Sequence, residues 1–246
     1  MPRYKVTLEF DGAGFVGWQR QANGLAVQQV VEQAIAAFSG ETVTVQGAGR
    51  TDSGVHVLGL VAHFDLDRDW RADKVRQALN YHMKPHPVVV LRSEIAGPEF
   101  EARFSATRRH YLYRILNRRS PPVLDRGRVW HVSARLDEHA MGHAAEALIG
   151  DHDFNAFRSS HCQAPSSRKT LERLVVDRQG DEIRIRAASR SFLHNQVRIM
   201  VGTLKLVGEG RWSRAQVERA LAVAERIAAG PTAPAHGLYF ARVDYD

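Results

Sequence analysis

The sequence predicts an α+β chain built from two halves. Apolar residues recur at every second position in some stretches and at three- and four-residue spacing in others. In the first half these stretches follow one another as β-α-β-β-α-β, and the second half runs through a similar order. No sequence repeat links the halves, so the correspondence is one of element order alone.

Tyr4, Val6, Leu8 and Phe10 alternate with Lys5, Thr7, Glu9 and Asp11, which predicts a strand with one buried face. Val27, Val30, Val31, Ala34, Ile35 and Phe38 fall on one side of a helix that should stop near Gly40. Strands are expected at Thr42–Gln46 and Gly59–Asp65, a helix at Ala72–Tyr81 and a strand at Val88–Glu94. The boundary is placed within Gly97–Ser105, dividing the chain into residues 1–100 and 101–246.

Beyond the boundary a strand is expected at His110–Asn117 and a helix at Leu136–Leu148. Strands at Leu171–Asp177 and Asp181–Ala187 are joined through Arg178-Gln-Gly180, which predicts a hairpin. Helices follow at Phe192–Val207 and Ser213–Ala229, the second opened by a Ser213…Gln216 capping box and closed by Gly230-Pro231. A strand at Leu238–Asp244 ends the series.

With 34 Lys plus Arg against 27 Asp plus Glu, the net charge is +7. All of that excess sits between Arg103 and Arg128, where eight arginines (103, 108, 109, 114, 118, 119, 126 and 128) face one acid, Asp125. Arginine suits bidentate phosphate contacts and stacking on bases, and His110, Tyr111 and Tyr113 are interleaved with it, so the window reads as a nucleic-acid surface. The single cysteine, Cys162, excludes an intrachain disulfide and a thiolate zinc site. Polar residues interrupt the first ten positions as no signal-peptide core allows, and no uncharged apolar stretch reaches the ~20 residues of a membrane span. The expectation is a soluble, cytoplasmic protein.

The densest unusual segment is Gly47-Ala-Gly-Arg-Thr-Asp-Ser-Gly-Val-His56, between two expected strands. A dinucleotide fingerprint would need glycine where Asp52 stands and a helix opening after it, and a P-loop would need Gly-Lys-Ser/Thr; neither fits. What remains is a glycine-framed loop that holds Arg50 and Asp52 against a ligand, or an ordinary turn closed by an Arg50–Asp52 ion pair.

This segment resembles the Arg-Thr-Asp-x-Gly-Val-His signature of the TruA-type tRNA pseudouridine synthases, and the likeness continues along the chain. Asn23-Gly-Leu-Ala-Val-Gln28 is similar to an early family segment, Ala102-Arg-Phe-Ser-Ala106 through Tyr111-Leu-Tyr113 to the Ala-Arg-Phe…Tyr-x-Tyr motif, Phe192–Gly202 to the Val-Arg helix and Gly237-Leu-Tyr239 to a late strand. One departure is Leu60, where the family commonly carries Gln.

The resemblance implies two ferredoxin-like (RRM-like) halves sharing a continuous antiparallel sheet, with the active site in the central cleft. It implies conversion of uridine to pseudouridine at positions 38, 39 and 40 in the anticodon stem-loop of tRNA by a homodimer that needs no cofactor or metal. It makes Asp52 the essential aspartate, Arg198 its partner, Arg50 a helper of base flipping and Tyr111 the aromatic of the uracil pocket, with Leu238 nearby. From the arginine-rich window, Arg108 and Arg109 are expected to meet the RNA. The residue types suit the chemistry, in which C1′–N1 breaks, the base turns and C1′ joins C5 without oxidation or hydrolysis. A carboxylate stabilises positive character at C1′ as in glycosidases, and a buried one needs a cation beside it. Two routes are open to Asp52, attack at C1′ or removal of the C2′ proton.

Other readings stand beside this one. The β-α-β-β-α-β order is also that of a non-catalytic RRM-like RNA-binding module, although the stacking signature of that module is missing. A glycosidase or phosphatase with an Asp nucleophile would want a second carboxylate or a metal nearby, and none stands out. His139 and His143 have the spacing of a zinc pair but lack a third ligand, which favours surface histidines. Phe154-Asn-Ala-Phe157-Arg158 is either an RNA-facing loop or a core anchor.

Overall fold

The computed structural model describes residues 1–246 as a mixed α+β protein of five α-helices and mostly antiparallel strands. The chain forms two compact units, Met1–Thr107 with Tyr239–Asp246, and Arg108–Leu238.

In the first unit β1 (Arg3–Phe10) and β3 (His56–Asp65) run antiparallel, with Val6 opposite Ala62, and β4 (Val88–Ala96) pairs antiparallel on the other side of β1. The short β2 (Gln46–Gly47) lies antiparallel on β3, and β10 (Leu238–Tyr245) joins β3 in parallel, Tyr239 opposite His56. The alternation read from β1 is real: Tyr4, Val6 and Leu8 are fully buried while Glu9 is exposed. Tyr4 stacks on Phe64 with ring centroids 5.6 Å apart, and its hydroxyl both donates to the carbonyl and accepts from the N–H of Trp70. Helix α1 (Val27–Ser39) buries Val27, Val30, Val31, Ala34 and Ile35 and stops at the left-handed Gly40; α2 (Ala72–His82) packs against it and against β4.

One expected strand is almost absent. Thr42–Gln46 pairs only at its last residue, because side chains of α1 satisfy the backbone of Val45: Glu32 accepts from its N–H at 3.1 Å and Gln28 donates to its carbonyl at 2.9 Å.

The second unit carries β5 (Ala106–Leu116), β7 (Gly150–Asp153), β8 (Arg168–Gln179) and β9 (Glu182–Ser189) in the order β5-β9-β8-β7, with β6 (Trp130–His131) alongside β5. The hairpin expected around Arg178-Gln-Gly180 is present, turning at Gly180 with Gln179 opposite Glu182. Helix α3 (Glu138–Glu146) is shorter than the expected Leu136–Leu148 because Asp137 caps it, accepting from the N–H groups of His139 and Ala140 at 2.9 Å. Helix α4 (Gln196–Gly208) begins four residues later than expected, behind a left-handed Asn195. Helix α5 (Arg214–Val223) has the reciprocal Ser213–Gln216 cap, but ends at a left-handed Ala224 rather than at Ala229.

Eleven of the thirteen residues of α4 are buried, so this helix is the core of the second unit. Only Arg198 and Lys205 reach outward, one heptad apart. Phe154 and Phe157 are both fully buried, which makes that segment a core anchor. His139 and His143 lie on the surface, the latter against Arg214. No helix is long and apolar enough to cross a membrane.

Candidate active site

The first unit holds Asp52 on a loop that leaves β2 and returns as β3. Between Asp52 and Val55 the chain reverses: the N–H of Val55 donates to the carbonyl of Asp52 at 3.2 Å, and Gly54 takes φ 78, a conformation that favours glycine. The segment Gly12–Trp18 clamps the loop from outside. Ser53 donates its hydroxyl to the carbonyl of Phe15 at 3.1 Å, and the N–H of Trp18 donates to the carbonyl of Thr51 at 3.2 Å. Gly17 makes the close approach possible, since a Cβ there would stand 2.3 Å from the Thr51 carbonyl oxygen in a backbone already at φ 112. Gly47 and Gly49 do not take positive φ; their open sides face the rings of Trp18 and Phe240.

Thr51 is therefore buried, while Asp52 is half-buried and Arg50 exposed. The Arg50–Asp52 ion pair of an ordinary turn does not form, because Arg50 makes no salt bridge. His56, at the start of β3, is buried under the ring of Tyr239, with centroids 5.0 Å apart.

The second unit holds Tyr111, Arg198, Leu238, Arg108 and Arg109. Tyr111 is half-buried on β5, opposite Ala187 of β9, its ring nearly perpendicular to that of Phe192 with centroids 5.0 Å apart. Tyr113, two residues on and therefore on the same face, is fully buried and donates its hydroxyl to the carbonyl of Pro234 at 2.7 Å. Burial pushes the Tyr113 hydroxyl pKa far up, and the positive charge of Arg198 offsets only part of this, so Tyr113 stays a proton donor.

The Arg198 guanidinium is fixed by its own unit. Its Nε donates to the carbonyl of Ala233 and a terminal nitrogen to Oδ1 of Asn195, both at 2.8 Å, while the N–H of Ala233 returns to the Arg198 carbonyl at 3.1 Å. Asn195 serves twice, with φ 63 in the turn before α4 and its side chain as the acceptor. Sequence reasoning passed over Asn195, although an Asn just ahead of a helix, able to take the left-handed region, was the available signal. Leu238 is buried at the head of β10.

The arginine window is more heavily paired than its own composition suggests, because acids arrive from elsewhere in the unit. Arg108 is ion-paired with Glu172, Arg118 lies 3.5 Å from Asp181, and Arg114 grips Glu182 with two bonds of 3.0 and 2.8 Å. Arg114, helped by Arg184, holds the Glu182 carboxyl below the usual carboxylate range. Arg109 is nine-tenths buried and donates to the carbonyl of Arg190 at 2.7 Å. Arg119 and Arg126 stand exposed with no acid partner.

The family model described as tRNA pseudouridine synthase matches residues 7–105 and 144–246, segments that include the Asp52 loop and the Arg198 helix. The chain belongs to the tRNA pseudouridine synthase family. It is 62% identical to a tRNA pseudouridine synthase A of Rhodospirillum centenum over the full length of both chains. It is 56% identical to one of Parvibaculum lavamentivorans, again over both full lengths, and 55% identical to one of Maricaulis maris over all of this chain and 98% of that one. As a member of the family it is an isomerase that forms pseudouridine in tRNA. Tyr111 lies between the two matched segments.

Proposed function

We propose that the chain converts uridine to pseudouridine at positions 38, 39 and 40 of the tRNA anticodon stem-loop, with Asp52, Tyr111 and Arg198 as its catalytic residues. The observation that carries the reading is the setting of Asp52: a half-buried carboxylate on a loop fixed by Phe15 and Trp18, with Arg50 free of any acid beside it.

In this reading Arg50 assists the uridine out of its stack, and the Asp52 carboxylate acts on the sugar, either at C1′ or at the C2′ hydrogen. C1′–N1 breaks, the uracil turns against the Tyr111 ring, and C5 bonds to C1′ as the Asp52–C1′ bond breaks or, on the other route, as Asp52 returns the proton to C2′. The Tyr111 oxygen takes the proton leaving C5 and its hydroxyl proton passes to N1, so the atoms balance and no cofactor enters. The guanidinium of Arg198 keeps Asp52 ionised, and its bonds to Asn195 and Ala233 suit it to that task. Leu238 packs beside the base, and Arg108 and Arg109 serve the RNA backbone.

The same proposal takes the two units as ferredoxin-like halves of one continuous sheet, with the site in a central cleft, in a cytoplasmic homodimer. The antiparallel order β4-β1-β3-β2 around α1 and α2 supports this for the first half, carried by residues 1–100, and β5-β9-β8 with α3 and α4 for the half 101–246. Incubating an unmodified tRNA transcript with the protein and mapping pseudouridine by carbodiimide-stopped primer extension tests it. Stops one nucleotide before positions 38, 39 or 40 are expected, and stops elsewhere or none would overturn it.

A further inference from the structure

Residues 101–105 form a tight turn that the catalytic reading leaves without a role. The N–H of Ser105 donates to the carbonyl of Glu101 at 2.8 Å, and the N–H of Glu101 donates to the Ser105 hydroxyl at 3.0 Å. The turn is fixed at Ala102, and the residues just ahead of it are fixed by Arg3. Ala102 donates its N–H to Nδ1 of the buried His63 at 3.1 Å and accepts the hydroxyl of Tyr245 on its carbonyl at 2.8 Å. Arg3, held by two 2.8 Å bonds to Asp65, also donates to the carbonyls of Pro98 and Phe100 at 2.7 and 2.8 Å.

From this anchored turn one large apolar side chain points into solvent: Phe104 is 73% exposed. The guanidinium of Arg103 lies 5.4 Å from its ring centroid. A phenylalanine on a slack loop would fold back and cover itself, but the bonds around Glu101, Ala102 and Ser105 deny it that escape. An open aromatic face beside an arginine, at the head of the arginine-rich window, is the chemistry that recognises an unpaired nucleobase and its phosphate.

We propose that Phe104 is a stacking platform for an unpaired base of bound tRNA, with Arg103 supplying the adjoining phosphate contact. The inference rests on tRNA being the substrate and adds a contact outside the catalytic residues. The ring's position on the surface makes substitution harmless to folding, so loss of binding reads directly as loss of contact.

The test measures the affinity of the full-length Phe104→Ala, Phe104→Trp and Arg103→Gln proteins for an unmodified tRNA transcript at several salt concentrations, beside the pseudouridine yield of the parent. Phe104→Ala should bind about 5- to 100-fold more weakly with an unchanged salt slope, and turnover at saturating tRNA should hold. Phe104→Trp should bind like the parent. Arg103→Gln should lower the slope of log K against log salt by about 0.7–0.9. A Phe104→Ala protein that binds within twofold of a parent active on tRNA overturns the platform and leaves the isomerase reading standing. Weakened binding by Phe104→Ala, with no pseudouridine from the parent, supports the platform and removes the isomerase reading. If Phe104→Ala instead lowers the sedimentation coefficient and spares tRNA affinity, the ring belongs to a contact between copies of the chain and the platform is overturned.

Discussion

The backbone N–H of Gly12 donates to Nδ1 of His56 across 3.1 Å, four residues downstream of Asp52. Oδ1 of Asp11 stands 3.1 Å from the same nitrogen, so Asp11 and Gly12 both meet the ring. His56 thus ties the clamp to the strand that follows the Asp52 loop.

His56→Phe keeps a ring against Tyr239 and removes the acceptor. Leaving the buried Gly12 N–H unpaired should cost about 1–3 kcal/mol, read as a lower urea midpoint, and turnover should fall with it.

Asp52→Asn preserves shape and removes charge. Pseudouridine formation should vanish while tRNA affinity, measured by filter binding, stays near the parental value. Appreciable product from the purified variant would exclude Asp52 as the catalytic carboxylate.

Arg198→Met keeps length without donors. Asn195 and the Ala233 carbonyl lose their partner, and Asp52 loses the proposed counter-charge, so kcat should drop by at least a hundredfold, equivalent to about 3 kcal/mol. Asn195→Ala, which removes one of the two holds on the guanidinium, should give a smaller loss in kcat with KM nearly unchanged.

The two tyrosines of β5 separate by their hydroxyls. Tyr111→Phe should reduce single-turnover rates by ~10²–10⁴ if its oxygen takes the C5 proton, as for a lost general base. Tyr113→Phe leaves the Pro234 carbonyl without its donor and should lower stability by about 1–3 kcal/mol while sparing the chemical step. A Tyr111→Phe enzyme at the parental rate would remove Tyr111 as the base.

Burial lowers the pKa of His63, with Glu101 opposing in part. An unfolded chain takes up a proton there near pH 6.5, whereas the folded chain resists until a lower pH. In that interval the unfolded state binds more protons, so stability rises with pH: the contribution of neutral His63 is whole above about 6.5 and shrinks as the pH falls towards the folded value. Asp65, held low by Arg3, adds its own loss only in the carboxylate range further down. Urea midpoints at pH 7.5 and 5.5 should therefore differ more for the parent than for His63→Gln.

The readable parts of the sequence were those in which side-chain spacing and backbone bonding agree. The stripe from Val27 to Ile35 gave α1 to within a residue, and the alternation of Tyr4 to Phe10 gave β1. Thr42–Val45 misled because a β-branched run has strand character, while its backbone is claimed by Glu32 and Gln28 of a helix. The late start of α4 and the early stop of α5 turn on Asn195 and Ala224 in left-handed conformations, and no periodicity reports a single dihedral angle. Asp52 and Arg198 stood out by motif; the bonds that hold Arg198, from Asn195 and from the carbonyl of Ala233, depend on segments 35 residues apart.

The pairing of β10 with β3 has a consequence for the order in which the molecule is made. The first unit consists of the earliest residues of this chain and its last eight, Tyr239–Asp246, with all of Arg108–Leu238 between them. Phe240, fully buried, packs against Gly49 of the Asp52 loop, and Tyr239 roofs His56. While the chain is being synthesised, the Asp52 loop therefore waits for this wall until Tyr239 and Phe240 have been made, long after its own residues. A frameshift just ahead of Tyr239 strips the Asp52 loop of that wall, nearly two hundred residues away in the chain, while leaving every residue of the loop itself unchanged.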